Sequence, residues 1–198
     1  MIIGLDLDNT IVCYDDLFPS LARERGLVPD DVAATKHAVR AHLRSAGREI
    51  EWTRLQGEVY GPSIGRARPF AGARDFVKRS RGAGVDVVII SHKTAVPIVG
   101  EPWDLIAAAR GWLEVNGFFD DDDGLPRSAA FFEATKRAKL ARIVSCGCTH
   151  FVDDLPELLD DPAFPPHVRG TLFDPHRQHP ARAERTETWA ALADRLLP

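Results

Sequence analysis

A short apolar run that leads directly into paired acidic residues is the feature that most restricts the fold of this 198-residue chain. Residues 2–5 are Ile-Ile-Gly-Leu, and Asp6-Leu7-Asp8-Asn9-Thr10 follows them without a break. Such a run predicts a strand buried on both faces, as in parallel sheets. Ligands of an open parallel sheet bind beyond the carboxyl ends of its strands, where these aspartates stand.

Apolar runs of the same kind recur along the chain, at residues 85–90, 129–132, 149–152 and 168–173. Helical patterns separate them, at residues 72–80, 102–115, 136–144 and 186–197. Strands that alternate with helices of this length predict an α/β fold, in which a Rossmann-like parallel sheet has helices on both faces.

Residues 15–68 interrupt this alternation, because they show helical patterns and no strand pattern. One apolar helix face is predicted from residues at helical spacing: Val32, Val39, Leu43, Ala46 and Ile50. A connection of this length far exceeds the usual few residues, so we expect a small helical module inserted after the first strand. The predicted domains are an α/β core of residues 1–14 and 69–198 and a helical insertion of residues 15–68.

Charge and composition indicate neither a nucleic-acid partner nor a membrane partner. The chain has 25 basic and 29 acidic residues, a net charge of −4, and no apolar run near the roughly 18 residues of a membrane span. Asp6 and Asp8 stand where a signal peptide would be apolar. The cysteines make a poor disulfide framework: Cys13, Cys146 and Cys148. We therefore expect a cytoplasmic protein.

Two charged runs are predicted to be solvated surface, with a functional alternative for each: the basic run could line the mouth of a site for an anionic substrate, and the acidic run could hold a second cation. The first is a basic stripe with a spacing of four residues: Lys36, Arg40, Arg44 and Arg48. The second is the acidic run of residues 120–123, which reads as an exposed turn.

Polar side chains follow three of the predicted strands and should meet at one edge of the sheet: Asp6, Asp8, Ser91, Asp153 and Asp154. Lys136 and Lys139 begin the helix that precedes the Asp153 strand. Converging carboxylates repel and raise one another's pKa unless a cation neutralises them. An all-oxygen ligand set favours Mg²⁺, which keeps open positions for water and for a substrate phosphate.

These segments resemble the motifs of the haloacid dehalogenase (HAD) superfamily. Residues 2–11 are similar to its first motif, an apolar strand followed by Asp-x-Asp-x-Thr. Residues 87–91 resemble the second motif, residues 151–154 resemble the acidic pair of the fourth, and a lysine within 136–139 fits the third. The insertion lies where this superfamily carries a C1-type cap. The resemblance implies a phosphatase of this superfamily with a small helical cap.

The resemblance also implies residue roles. Asp6 would be the nucleophile that forms an aspartyl-phosphate, and Asp8 would protonate the leaving oxygen and then activate water. Superfamily members that cleave carbon–halogen bonds generally lack an acid at the second position, so Asp8 favours phosphate chemistry. Ser91 and a lysine would bind the phosphoryl group, with Lys139 preferred and Lys136 as the open alternative.

The implied ligands of Mg²⁺ are the side chains of Asp6 and Asp153 and the backbone carbonyl of Asp8, while Asp154 acts through water or orients a neighbour. Further candidate substrate contacts follow the first and second motifs: Asn9, Thr10, His92 and Lys93. For His92 and Lys93, exposed loop residues are an equally open interpretation.

The function expected from the resemblance is Mg²⁺-dependent hydrolysis of a small soluble phosphomonoester, such as a sugar phosphate or a nucleoside monophosphate. The alternatives are a nucleic-acid end phosphatase and a non-catalytic binding protein of the same fold. The expected partner is the phosphorylated substrate, with no nucleic acid and no membrane, and the chain is expected to be a monomer or a homodimer.

Overall fold

The computed structural model describes residues 1–120, 122–182 and 184–198. The strands are β1 (Ile2–Leu5), β2 (Val12–Cys13), β3 (Arg68–Pro69), β4 (Asp86–His92), β5 (Ala130–Glu133), β6 (His150–Asp153), β7 (Arg169–Phe173) and β8 (Arg185–Thr186). The helices are α1 (Leu17–Glu24), α2 (Lys36–Ser45), α3 (Glu49–Tyr60), α4 (Ala73–Gly82), α5 (Leu105–Val115), α6 (Lys136–Ser145), α7 (Pro156–Leu159) and α8 (Trp189–Leu196). Short 3₁₀ turns lie at Ile64–Arg66 and Arg127–Ala129.

Within the described residues, a six-stranded sheet has the strand order β5-β4-β1-β6-β7-β8. Each pair of neighbouring strands in it is parallel. The predicted α/β fold with a Rossmann-like parallel sheet is thus confirmed. The edge strand β8 was not predicted from the sequence, because it is only two residues long and polar. Strands β2 and β3 pair separately.

Helices cover both faces of the sheet. Successive strand residues point to opposite faces, so an uninterrupted apolar strand has apolar side chains on both faces that must be buried. On one face, Ile143 of α6 and Leu158 of α7 pack in a buried cluster with Leu172 of β7. Phe173, the next residue of β7, packs against Trp189 of α8 with the ring centroids 5.4 Å apart. Burial on both faces explains why the central strands are uninterrupted apolar runs.

The chain forms two compact units, which we name the α/β unit (residues 1–12, 69–93 and 113–198) and the helical unit (residues 13–68 and 94–112). This division differs from the sequence-based one mainly in residues 94–112, which were assigned to the α/β core. The difference has a structural cause. The indole N–H of Trp112 donates to the carbonyl of Ala67 at 2.9 Å, and Pro97 lies against Gly57 of α3.

The single apolar helix face predicted across residues 32–50 is wrong. Helix α2 ends at Ser45, and Gly47, at a φ of +71°, turns the chain before α3 begins. Val39 and Leu43 are buried in α2, whereas Ile50 lies on α3 and is 65% exposed. A left-handed glycine ends a helix and breaks the periodicity that the spacing suggested. Among the described residues, no helix is both long and apolar enough to cross a membrane.

Gly4 occupies a position in β1 that has no room for a side chain. A Cβ atom there would lie 2.5 Å from a ring carbon of Phe151 and 3.0 Å from the sulfur of Cys148. We expect Gly4→Ala to lower the free energy of unfolding by about 1–3 kcal/mol, because overpacking displaces a rigid ring. The midpoint of urea unfolding measures the change.

Gly111 of α5 is the matched control for this substitution, because a Cβ atom there would meet no atom within 4 Å. Gly111→Ala should raise the free energy of unfolding by about 0.5–1 kcal/mol through helix propensity alone. A Gly4→Ala midpoint at or above the wild-type value would contradict the packing described for β1.

Candidate active site

The carboxyl ends of three adjacent strands bring the motif residues together. Leu5 of β1 pairs with Val152 of β6, and the amide of Asp6 extends this ladder by donating to the Val152 carbonyl at 2.9 Å. Asp6 therefore lies beside Asp153, the last residue of β6. Strand β4, on the other side of β1, brings Ser91 to the same edge.

Lys139 of α6 lies between two carboxylates at this edge. Its ammonium nitrogen is 2.5 Å from Oδ1 of Asp6 and 2.6 Å from Oδ2 of Asp153, and its side chain is only 2% exposed. Phe151 lies beneath it, with the ring centroid 5.4 Å from the nitrogen. Of the two lysines proposed from the sequence, the structure places Lys139 here. Lys136 is exposed and pairs with Asp161.

The electrostatics of the site follow from its burial. Burial raises the pKa of Asp6 to about 7; Lys139 opposes this rise, while Asp153 and Asp8 add to it. For Lys139, burial acts to lower the pKa, but the charges of Asp6 and Asp153 outweigh it and raise the pKa above the ordinary value. A buried carboxyl group with so high a pKa marks a place where additional positive charge is stabilising.

The loop after β1 is held in a tight turn. The amide of Val12 donates to the carbonyl of Leu7 at 2.9 Å. Asn9 has a φ of +61°, in the left-handed region that asparagine tolerates better than most residues. The indole N–H of Trp189 donates to the carbonyl of Thr10 at 3.3 Å and ties the loop to α8. Nothing local in the sequence marks this contact, because the tryptophan lies 179 residues from Thr10 along the chain.

Two buried hydroxyl groups have no hydrogen-bond partner among the described residues: Oγ1 of Thr10 and Oγ of Ser91. A buried polar atom without a partner costs about 1–3 kcal/mol, so native proteins rarely keep one without a use for it. Both residues belong to the set predicted to bind substrate or the phosphoryl group. Each hydroxyl can donate a hydrogen bond to an anionic oxygen.

The acidic side chains fit a hard cation. Asp6, Asp153 and Asp154 each offer a carboxylate oxygen, and these oxygens all lie within 4.8 Å of one another. The backbone amide of Leu155 donates to Oδ1 of Asp153 at 2.9 Å, the carboxylate oxygen that Lys139 does not contact, and fixes the orientation of the group. A set of oxygens only, with no sulfur or imidazole nitrogen, suits Mg²⁺ better than zinc.

Asp8 and Lys93 form a second ion pair at the same edge. Nζ of Lys93 lies 2.7 Å from Oδ2 of Asp8, and the Lys93 side chain is 3% exposed. The sequence left Lys93 open between a substrate contact and an exposed loop residue. The side chain is in fact buried, and its pairing with Asp8 was not predicted. The period of the strand could have indicated the position of Lys93. It follows Ser91 by two positions, so the two side chains point to the same face of the sheet. His92, between them, is exposed, and its Nε2 lies 3.1 Å from the carbonyl oxygen of Ala134.

Asp174 is a further buried carboxylate that the sequence analysis did not single out, at the carboxyl end of β7. It accepts hydrogen bonds from the amides of Gln178 and His179 at 2.8 and 3.2 Å. These contacts order the loop that follows β7, so the residue has a structural role.

The charged runs lie mainly on the surface, but Lys36 and Arg48 are half-buried, and the ammonium group of Lys36 donates to the hydroxyl of Tyr60 at 3.2 Å. Arg44 pairs with Glu49 at 2.6 Å, and Arg48, which lies outside α2, pairs with Glu51. Of the acidic run, Asp120 and Asp122 are exposed and Asp123 pairs with Lys78. Residue 121 lies outside the described residues.

No protein-family profile matches the chain, and no curated protein matches it significantly. Solved structures match it in fold. The HAD-hydrolase YfnB from Bacillus subtilis, bound to magnesium, has a TM-score of 0.58 at 13% identity, over 98% of this chain and 97% of that chain. A HAD family hydrolase from Deinococcus radiodurans with bound phosphate and sodium has a TM-score of 0.55 at 16% identity, over 98% and 95%.

A dehalogenase also matches, with a TM-score of 0.56 at 12% identity over 100% of this chain and 97% of that chain. The chain therefore has the fold of HAD-superfamily hydrolases, as the four sequence motifs predicted. Because both dehalogenases and other hydrolases share this fold, the reaction must be argued from the residues of the site.

Proposed function

We propose that this protein is a Mg²⁺-dependent phosphomonoester hydrolase that acts through an aspartyl-phosphate on Asp6. The observation that carries the proposal is the buried arrangement of Asp6, Lys139 and Asp153, with 2.5 and 2.6 Å between the ammonium nitrogen and the two carboxylates. The presence of Asp8 supports phosphate chemistry over carbon–halogen cleavage. The unpartnered hydroxyls of Thr10 and Ser91 support an anionic group with several oxygens.

The proposed reaction has two steps. In the first, a carboxylate oxygen of Asp6 attacks phosphorus, the bond from phosphorus to the leaving oxygen breaks, and Asp8 delivers a proton to that oxygen. In the second, water attacks the same phosphorus, its proton passes to Asp8, and Asp6 is released. Ser91, Thr10 and Lys139 would bind the phosphoryl oxygens, whose charge they stabilise.

The residues that would hold Mg²⁺ are Asp6, Asp153 and Asp154, together with the backbone carbonyl of Asp8. When bound, the cation would supply positive charge where the phosphoryl group and the carboxylates otherwise repel one another. Three acidic oxygens within 4.8 Å of one another support this assignment.

The substrate that we propose is a small soluble metabolite, a sugar phosphate or a nucleoside monophosphate. The proposed cap is the helical insertion of residues 15–68, and a cap favours small substrates over macromolecules. The net charge of −4 also supports a substrate other than nucleic acid. In this proposal the protein works in the cytoplasm as a monomer or a homodimer, without a membrane partner.

Hydrolysis of p-nitrophenyl phosphate by the purified full chain tests the proposal. Release of phosphate should require Mg²⁺ and stop when EDTA is added, and 2-haloacids should release no halide. Halide release without phosphate release would refute the proposal. A panel of sugar phosphates, nucleoside monophosphates and end-phosphorylated oligonucleotides then identifies the substrate class.

Ser91→Ala separates a functional hydroxyl from a structural one. Since this hydroxyl has no partner among the described residues, its removal should leave the free energy of unfolding unchanged or raise it by up to about 1 kcal/mol. Loss of a donor to the transferring phosphoryl group should lower kcat/KM for p-nitrophenyl phosphate about 100-fold. Urea unfolding and steady-state kinetics measure the two effects, and a destabilised variant of full activity would assign the hydroxyl to packing.

A further inference from the structure

The Asp8–Lys93 pair differs from an ordinary surface ion pair in its burial. The Lys93 side chain is 3% exposed and the Asp8 side chain 17%, so the ammonium group is the more deeply buried of the two. In an exposed pair of the same unit, that of Lys78 and Asp123, the side chains are 54% and 41% exposed. The cation therefore holds Asp8 from the side of the protein interior.

Backbone contacts anchor both partners. The amide of Lys93 donates to the carbonyl of Glu133 at 2.8 Å, which continues the pairing of β4 with β5 beyond His92. The backbone of Asp8 pairs with that of Val12 in an isolated β-bridge inside the tight loop after β1. With both ends fixed, the ion pair restrains the carboxylate of Asp8 to one orientation.

The other two buried carboxylates of the site, Asp6 and Asp153, are contacted by a different lysine. Lys139 already contacts Asp6 and Asp153, and Ser91 and Thr10 supply neutral donors. The contact that distinguishes Lys93 is with the carboxylate that the proposed mechanism uses for proton transfer. Proton transfer is sensitive to the distance and direction between the two oxygens, so an acid that is free to rotate is a poor one.

We propose that Lys93 is a positioning residue that orients Asp8 for proton transfer to the leaving oxygen. This inference rests on the proposed function. Lys93 keeps its own protons: in the first step the proton goes from Asp8 to the leaving oxygen as the bond to phosphorus breaks. In the second step Asp8 regains a proton from the attacking water. Lys93 thus acts through Asp8 and makes no contact with the phosphoryl group.

Two substrates of similar shape test this role: p-nitrophenyl phosphate and phenyl phosphate. The p-nitrophenolate ion is a good leaving group that needs no proton, whereas phenolate is poorer and depends on the acid. Lys93→Met should lower kcat/KM about 100-fold for phenyl phosphate and less than about tenfold for p-nitrophenyl phosphate. Asp8→Asn should show the same difference between the two substrates. The inhibition constant of Lys93→Met for inorganic phosphate should stay within about twofold of the wild-type value, since Lys93 acts through Asp8 and not on the phosphoryl group.

Lys78→Met is the matched control, because it removes the lysine of an exposed ion pair from the same unit. It should leave both substrates unaffected. Lys93→Arg is the second variant in case Lys93→Met does not fold. Arginine keeps the positive charge but moves the donor atoms. Lys93→Arg should therefore lose less kcat/KM than Lys93→Met, and its loss should again be greater for phenyl phosphate than for p-nitrophenyl phosphate.

Equal losses on the two substrates, full activity of Lys93→Met, or weakened inhibition by inorganic phosphate would each overturn the positioning role. These failures are distinct from a failure of the proposed function. If the wild-type protein released phosphate from neither substrate, or if Asp6→Asn were fully active, the phosphatase proposal would fall and the role of Lys93 with it.

Discussion

Replacement of Asp6 by Asn is expected to abolish Mg²⁺-dependent hydrolysis of p-nitrophenyl phosphate, with a loss of about 10⁴-fold or more in kcat. The amide cannot attack phosphorus, so no aspartyl-phosphate forms. It can still accept a hydrogen bond from Lys139, so the site should keep its shape. Steady-state kinetics over a range of Mg²⁺ concentrations measure the loss, and circular dichroism verifies the fold.

Asp75→Asn, at an exposed position of α4, is the control for the loss of one carboxylate from the same unit. It should leave the rate unchanged. Rapid acid quenching of the wild-type reaction should trap phosphate on the protein, and the Asp6→Asn protein should trap none. Retention of activity by Asp6→Asn would disprove the assignment of the nucleophile.

Removal of the buried ammonium group by Lys139→Met is expected to have the second largest effect, because it changes both stability and activity. Without the cation, Asp6 and Asp153 face each other uncompensated. Breaking a buried pair in this way costs about 3–5 kcal/mol. Loss of a positive charge next to the transferring group should also lower kcat/KM about 100- to 1,000-fold.

Urea unfolding in EDTA and in Mg²⁺ tests the electrostatic origin of this loss. A divalent cation held by the same carboxylates replaces the missing charge, so Mg²⁺ should restore part of the stability of Lys139→Met. Lys136→Met is the control, since Lys136 is exposed and pairs with Asp161 on the surface. It should change stability and rate little, and a larger loss for it than for Lys139→Met would reverse the assignment of the two lysines.

The sequence located the edge of the sheet where the site would form. Apolar runs of four to six residues, followed by Asp6, Ser91 and Asp153, correspond to strands of the observed sheet. This inference succeeds because a strand buried on both faces must be apolar, and because parallel strands share one carboxyl edge. Short polar elements such as β8 carry no such signal and were missed.

Helix α6 shows where local patterns stop being informative. Lys136 and Lys139 lie three residues apart, so they project from neighbouring parts of the same helix surface and periodicity hardly separates them. The contact between Lys139 and Asp6 joins residues 133 positions apart. Only the packing of α6 against the sheet determines which lysine is buried.

What the sequence by itself determined about this protein is the parallel sheet and the residues at its carboxyl edge, because burial and strand period are local properties of the chain. Tertiary structure alone decided that Lys139 lies between Asp6 and Asp153, that Lys93 holds Asp8, and that residues 94–112 pack with the helical unit. These pairings depend on distances of a few ångströms between segments far apart in the chain. No local spacing encodes such distances.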